Sequence, residues 1–243
     1  MRFKNRSLKT PEAFLSLSRK NFCVLIDPEK FPTEAFLRDC EGCVDFFLVG
    51  GSTAGREAFV AGLKKIKKIS SLPVFIFPAG AHHIIRGSDG IFFNSLISGR
   101  NPDYLIDEQV KSVRTIKRYG ISVFPVGYLL VGESKSATAR VSKTLPLPYR
   151  PEKAIVDTSL AGQFLGMRAI YLEAGSGSHK AVPISLATKV AGALSIPLIV
   201  GGGISSPEAV RKYWKKGVQT VVVGNYFEKH PEAIKLFKTL RAG

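Results

Sequence analysis

The chain of 243 residues is 45% hydrophobic and 22% charged, which gives room for one large domain or two small ones with a substantial core. No apolar run reaches the roughly 18 residues that a membrane-spanning helix needs, and the basic N-terminus carries no apolar signal core, so a soluble cytoplasmic protein is expected. The formal charge of +16, from 35 Lys and Arg against 19 Asp and Glu, is spread along the chain without a basic helix or an aromatic-interleaved motif; this argues against nucleic acid as a partner and leaves anionic small substrates, an anionic membrane surface or a merely solvated surface.

Thr10-Pro11-Glu12 reads as a helix start, with a capping hydroxyl, proline at the first helical position and an acid in the first turn; the helix should run to about Arg19. Phe22 to Ile26 is a continuously apolar run, hence a strand buried on both faces, ending in Asp27-Pro28-Glu29-Lys30. A helix from Thr33 to Cys40 leads to a second strand, Val44 to Val49, ending in Gly50-Gly51-Ser52-Thr53. The three cysteines, Cys23, Cys40 and Cys43, are too few for a disulfide scaffold. Cys40-Glu41-Gly42-Cys43 leads into a strand with no second pair for zinc, so buried free thiols are expected.

Glu57 to Ile69 is a helix with a Lys-rich outer face, and Pro73 to Phe77 is the third strand. Ile91 to Phe93 makes the fourth, ending in Asn94-Ser95. A helix from Asp103 to Tyr119, stopped by Gly120, precedes a fifth strand region, Ile121 to Val131. Gly132 to Arg150 is basic and polar and reads as the least ordered part. Then come a helix (Glu152 to Leu165), strand six (Ala169 to Leu172), a helix (Ile184 to Leu194) and strand seven (Pro197 to Val200). Ser206-Pro207-Glu208 caps a helix to Lys216, strand eight is Thr220 to Val223, and a helix from Pro231 to Leu240 closes the chain.

Strands alternating with helices at close to the ~250 residues typical of that architecture predict an α/β fold: a single-domain (βα)8 TIM barrel over residues 1–243. An open doubly wound sheet is the alternative, disfavoured because no G-x-G-x-x-G follows the first strand. In a barrel all strands end at one face, where the site lies. Strands six, seven and eight end in Gly175-Ser176-Gly177, Gly201-Gly202-Gly203 and Gly224-Asn225. Such junctions suit a bound phosphate, or merely tight turns. Asp27 and Ser52, at neighbouring strand ends, are a sparse oxygen set that suits Mg2+ shared with substrate phosphates, or a helix cap and a turn. Glu173 closes an apolar strand beside Tyr171, where it can take a proton from a hydroxyl or pair with a basic side chain. His82, His83 and Arg86 read as a solvated loop that could meet a diphosphate. Phe75, Phe77, Phe92 and Phe93 crowd strands three and four. The apolar Ile84, Ile85, Leu96 and Ile97 in the loops after them could line a groove for an apolar tail.

At these residues the chain resembles the geranylgeranylglyceryl phosphate synthases and their bacterial heptaprenylglyceryl phosphate synthase relatives, which are prenyltransferases on a (βα)8 barrel. The matching pieces are Ile26 to Lys30, Val49 to Ser52, Asn94-Ser95 with Asn101-Pro102, Tyr171 to Gly177, Val200 to Ile204 and Val223 to Asn225. The Tyr-Leu-Glu-Ala-Gly-Ser-Gly run is the most specific. The resemblance implies attack of the 3-hydroxyl of sn-glycerol 1-phosphate on C1 of a polyprenyl diphosphate. It implies Asp27 and Ser52 as Mg2+ ligands. It implies that Tyr171, Leu172, Glu173, Ala174, Gly175, Ser176, Gly177, Gly201, Gly202, Gly224 and Asn225 hold glycerol 1-phosphate, with Glu173 at its hydroxyl. A homo-oligomer and a peripheral membrane-surface contact complete the expected partners. The Gly132 to Pro148 segment departs from the glycine-rich turn of many archaeal members. Two other classes predict other features: a sugar-phosphate isomerase or aldolase needs a second strand-end carboxylate or a Schiff-base lysine, for which Lys30 is the candidate, and a nucleic-acid-binding protein predicts salt-sensitive duplex binding.

Overall fold

Side chains alternate between the faces of a strand, and this alternation divides the core in two. In a computed structural model that describes residues 9–132 and 136–241, parallel strands β1 to β8 close into a barrel in chain order. They are β1 (Asn21–Ile26), β2 (Phe46–Val49), β3 (Val74–Ile76), β4 (Gly90–Leu96), β5 (Val123–Leu130), β6 (Ala169–Glu173), β7 (Leu198–Gly201) and β8 (Thr220–Val223). One set of positions, including Phe46, Phe75, Phe92, Phe124 and Tyr171, fills the barrel. The alternate set, including Val24, Phe47, Ile76, Leu172 and Val200, packs against the helices. Burial on both faces is why the runs are apolar throughout.

The first helix is shorter than its sequence suggests. It spans Pro11–Phe14 (α1), and Thr10 makes no side-chain cap bond. The reason is tertiary: Phe14 and Leu15 both turn into the barrel interior. Phe14 meets Phe46 and Phe75 edge-on at 5.6 and 6.1 Å, and Asn21 Nδ2 donates to its carbonyl at 2.9 Å. The turn thus corks the end of the barrel where the strands begin.

Helices α2 (Glu34–Cys40), α3 (Arg56–Ile69), α4 (Glu108–Tyr119), α6 (Glu152–Phe164), α7 (Ile184–Ala193) and α8 (Pro207–Lys215) lie where the sequence places them. Cys23, Cys40 and Cys43 are buried free thiols. Three segments differ. The first is the loop after β3, which holds the single turn Ala81–His83. It is pinned because Arg56 Nη1 donates to the carbonyls of His82 and Ile84 at 3.0 and 2.8 Å. His83 is not solvated: it stacks on Phe59 at 3.9 Å, its Nδ1 accepts from Ala79 N, and its Nε2 sits 2.7 Å from the Ala54 carbonyl. Burial pushes its pKa down to about 4.

The second difference is in the Gly132–Arg150 segment, of which residues 133–135 lie outside the described residues. It holds a helix, α5 (Ala137–Ser142), whose cap Ser136 Oγ accepts from Ala139 N at 3.2 Å. The third is the expected last helix. Pro231 to Leu240 is not one helix but the turn Pro231–Ala233, α10 (Ile234–Phe237) and the turn Lys238–Arg241, and an additional helix, α9 (Asn225–Lys229), comes directly after β8. Phe227 and Phe237 pull these two helices inward, packing against Phe22 with centroids at 6.4 and 5.0 Å.

Candidate active site

Strand alternation decides which residues face the mouth. On β6, Ala169 and Tyr171 point into the barrel and Leu172 points outward, so Glu173 projects into the mouth. It is 7% exposed. One oxygen accepts from the Tyr171 hydroxyl at 2.9 Å and the other from Gly175 N at 2.9 Å. Burial pushes its pKa up to about 7, against the opposing pull of those two hydrogen bonds. Among the described residues Glu173 has no ion-pair partner, so the salt-bridge alternative does not hold. A carboxyl poised near neutrality and held from two sides is suited to accepting a proton from a hydroxyl.

The glycines of β7 have a second use. A Cβ on Gly201 would sit 2.3 Å from the Tyr171 hydroxyl and 2.7 Å from Glu173 Oε2. On Gly202, whose φ is +82°, it would sit 2.4 Å from Glu173 Oε1. They make room for the carboxylate as well as leaving backbone free for an anion. Asn225, at the start of α9, ties the junctions together: its Oδ1 accepts from Ser176 Oγ at 2.9 Å and Gly177 N at 3.0 Å. Leu172 and Ala174 pack outward, away from the mouth; only their backbone can serve a ligand there.

Asp27 lies at the end of β1, half-buried. Its carboxylate accepts from Glu29 N at 3.0 Å, and Lys30 Nζ is 3.8 Å from Oδ2. Burial, the largest cause, raises its pKa. A Cβ on Gly51 would lie 2.8 Å from Asp27 Oδ1, so the bare backbone of the β2 junction cradles the carboxylate. Ser52 shares the cavity with Asp27. Among the described residues no cluster of three or more His, Cys, Asp or Glu could hold a metal by itself. The hard oxygens of Asp27 and Ser52 fit a cation that draws its other ligands from phosphate and water. Lys30 Nζ donates to Glu228 Oε2 at 3.1 Å, and this raises its pKa. A Schiff-base lysine needs the opposite shift, so the aldolase alternative loses its candidate.

These groups line one cavity of about 550 Å³. Phe77, Leu96, Tyr104 and Val141 make its apolar wall. Ile84, with the outward-facing Ile91 and Phe93, extends it alongside the loop after β3. Phe75 and Phe92 are barrel core instead, and Ile85 and Ile97 are buried away from it. Asn94 lines the cavity, whereas Ser95 Oγ is spent on the Leu105 carbonyl at 2.6 Å. Sequence reasoning missed Tyr128 and Thr138, which also line it. Tyr128 was legible as an inward position two residues past Val126; Thr138 carried no signal, because α5 was not foreseen.

A family model described as the PcrB family matches residues 15–241. A geranylgeranylglyceryl phosphate synthase of Zunongwangia profunda is 43% identical over 216 residues, 87% of this chain and 92% of the relative. One from Pyrococcus horikoshii is 39% identical over 233 residues, 93% and 91% of the two. The crystal structure of (S)-3-O-geranylgeranylglyceryl phosphate synthase from Thermoplasma acidophilum, in complex with substrate sn-glycerol-1-phosphate, superposes with a TM-score of 0.83 at 33% identity, covering 91% of this chain and 92% of that one.

Proposed function

This chain belongs to the PcrB family, and from that footing we propose that it joins the 3-hydroxyl of sn-glycerol 1-phosphate to C1 of a polyprenyl diphosphate, geranylgeranyl diphosphate first among donors. The carrying observation is Glu173, buried, near-neutral and set between the glycine junctions and an apolar cavity. In the reaction the hydroxyl oxygen bonds C1, the C1–O bond breaks with its electron pair leaving on diphosphate, and the hydroxyl proton passes to Glu173. Backbone from Tyr171 to Gly177, Gly201-Gly202 and Gly224, with the side chains of Ser176 and Asn225, holds the glycerol phosphate; Tyr171 fixes Glu173. Ile84, Ile91 and Phe93 take the tail and keep water from the allylic centre.

Asp27 and Ser52 would hold Mg2+. When bound, it neutralises charge gathering on the departing diphosphate. Self-association, a cytoplasmic location and a peripheral contact with an anionic membrane surface belong to the same proposal; the charge of +16 supports the last. Among the described residues no helix is long and apolar enough to cross a membrane. The test is incubation with glycerol 1-phosphate, Mg2+ and labelled donors from C15 to C35, read by product mass. An ether lipid phosphate is expected; no product with any donor refutes the reading.

A further inference from the structure

The helix that sequence reasoning missed reaches into the cation side of the site. Ser52 Oγ lies 3.3 Å from Thr138 Oγ1 in the first turn of α5. That turn is fixed from below: Ser142 Oγ donates to the Thr138 carbonyl at 2.7 Å and pairs with Thr144 Oγ1 at 2.6 Å. Asn101 Nδ2 donates to the Ser142 carbonyl at 2.9 Å. Tyr104 Oη donates to the Val141 carbonyl at 3.3 Å. The Thr138 hydroxyl also lies beside that of Tyr128, whose ring meets Tyr171 edge-on at 5.3 Å. Tyr171 in turn donates to Glu173.

A serine oxygen can give a lone pair to a cation only if its proton points elsewhere, since the proton would face the positive charge. On α5 the nearest acceptor for that proton is Thr138 Oγ1. We propose that Thr138 is a positioning residue: it accepts the Ser52 proton, turns the Ser52 lone pairs toward Asp27, and links that side of the mouth through Tyr128 to the Tyr171–Glu173 side. The inference rests on the functional reading above. It gives α5 a task that composition did not suggest, because its hydroxyl orients a ligand of the donor's diphosphate without touching glycerol phosphate. Groups that orient a ligand in this way commonly matter by 10–100-fold.

The experiment measures the affinity of the full chain for magnesium diphosphate and, separately, for glycerol 1-phosphate by titration calorimetry, alongside turnover. Thr138→Val, close in shape but lacking the hydroxyl, should weaken magnesium diphosphate about tenfold and leave glycerol 1-phosphate within about twofold. Thr138→Ser should restore the wild-type value. Equal binding of magnesium diphosphate by Thr138→Val and wild type overturns the proposal. So does a serine variant as weak as valine, or loss of both affinities together with a lowered Tm, which would make α5 scaffolding. A wild-type chain that binds magnesium diphosphate yet forms no ether lipid refutes the functional reading instead, and Thr138 is then judged on binding alone.

Discussion

Glu173 and Ser52 sit on opposite sides of one mouth, and the chain holds them by different means. Around Glu173 the partners are a strand neighbour, a backbone N–H and two glycines whose missing side chains leave the carboxylate its space. Nothing there can shift without moving β6 or β7. Ser52 lies in a loop, and its neighbour Thr138 belongs to a helix of six residues held by hydroxyls and one amide. The first side is fixed by the sheet, so its chemistry is set before substrate arrives. The second rests on a short helix whose place is set by side-chain bonds from loops rather than by the sheet.

Removing the fixed side's proton acceptor should have the largest effect. Glu173→Gln is expected to lower turnover by about 10²–10⁴-fold with unchanged circular dichroism; activity near wild type would remove Glu173 from the reaction. Next, Gly201→Ala should press a methyl into Tyr171 and Glu173, costing about 1–3 kcal/mol by denaturant unfolding together with much of the turnover. An unperturbed Gly201→Ala protein would mean that this side is not rigidly held by the sheet.

The pH profile sharpens the contrast. With Glu173 at about 7, kcat/KM should rise through pH 7 as the carboxylate forms, and Glu173→Gln should lack that limb. Stability runs the other way. The folded-state pKa stands above the ordinary 4.5, so the folded chain binds the extra proton and stability falls as pH rises from 4.5 to 7. The loss is up to about 3 kcal/mol at about 1.4 kcal/mol per unit. A flat unfolding free energy across that window, once compared with Glu173→Gln, would contradict the buried, unpaired carboxylate. The smallest effect belongs to α5: Ser136→Ala removes its cap and should cost about 1 kcal/mol locally. It would be read as faster amide exchange at Ala139 and Arg140 with little change in Tm.

The same division decides what was legible in the sequence. Strand ends read well because buried parallel strands leave continuous apolar runs, and the first polar or glycine residue after each run marks the mouth. Asp27, Glu173 and the three glycine junctions came from that rule alone. The glycerol phosphate came from the resemblance. What failed lay where tertiary burial overrides local signals. His83 looks like a loop residue, but Phe59 and the Ala54 carbonyl bury it. The loop that holds it is likewise set from a distance, by Arg56 donating to the carbonyls of His82 and Ile84. For α5, a basic stretch of Ser, Thr and Lys has no apolar periodicity, and side-chain bonds with Asn101, Tyr104 and Ser52, distant in sequence, help hold it in place.

Closure of the barrel carries a kinetic consequence. Asn21 Nδ2 meets Thr220 Oγ1 across 199 positions of sequence, and Asn225, which fastens the Ser176-Gly177 junction, follows at once. Joining β1 to β8 is therefore the longest loop the chain must close, and such contacts are won late in folding. Asn225 thus ties the seam strand β8 to the β6 junction that would hold the anion, so glycerol phosphate bound there should favour the closed ring by mass action.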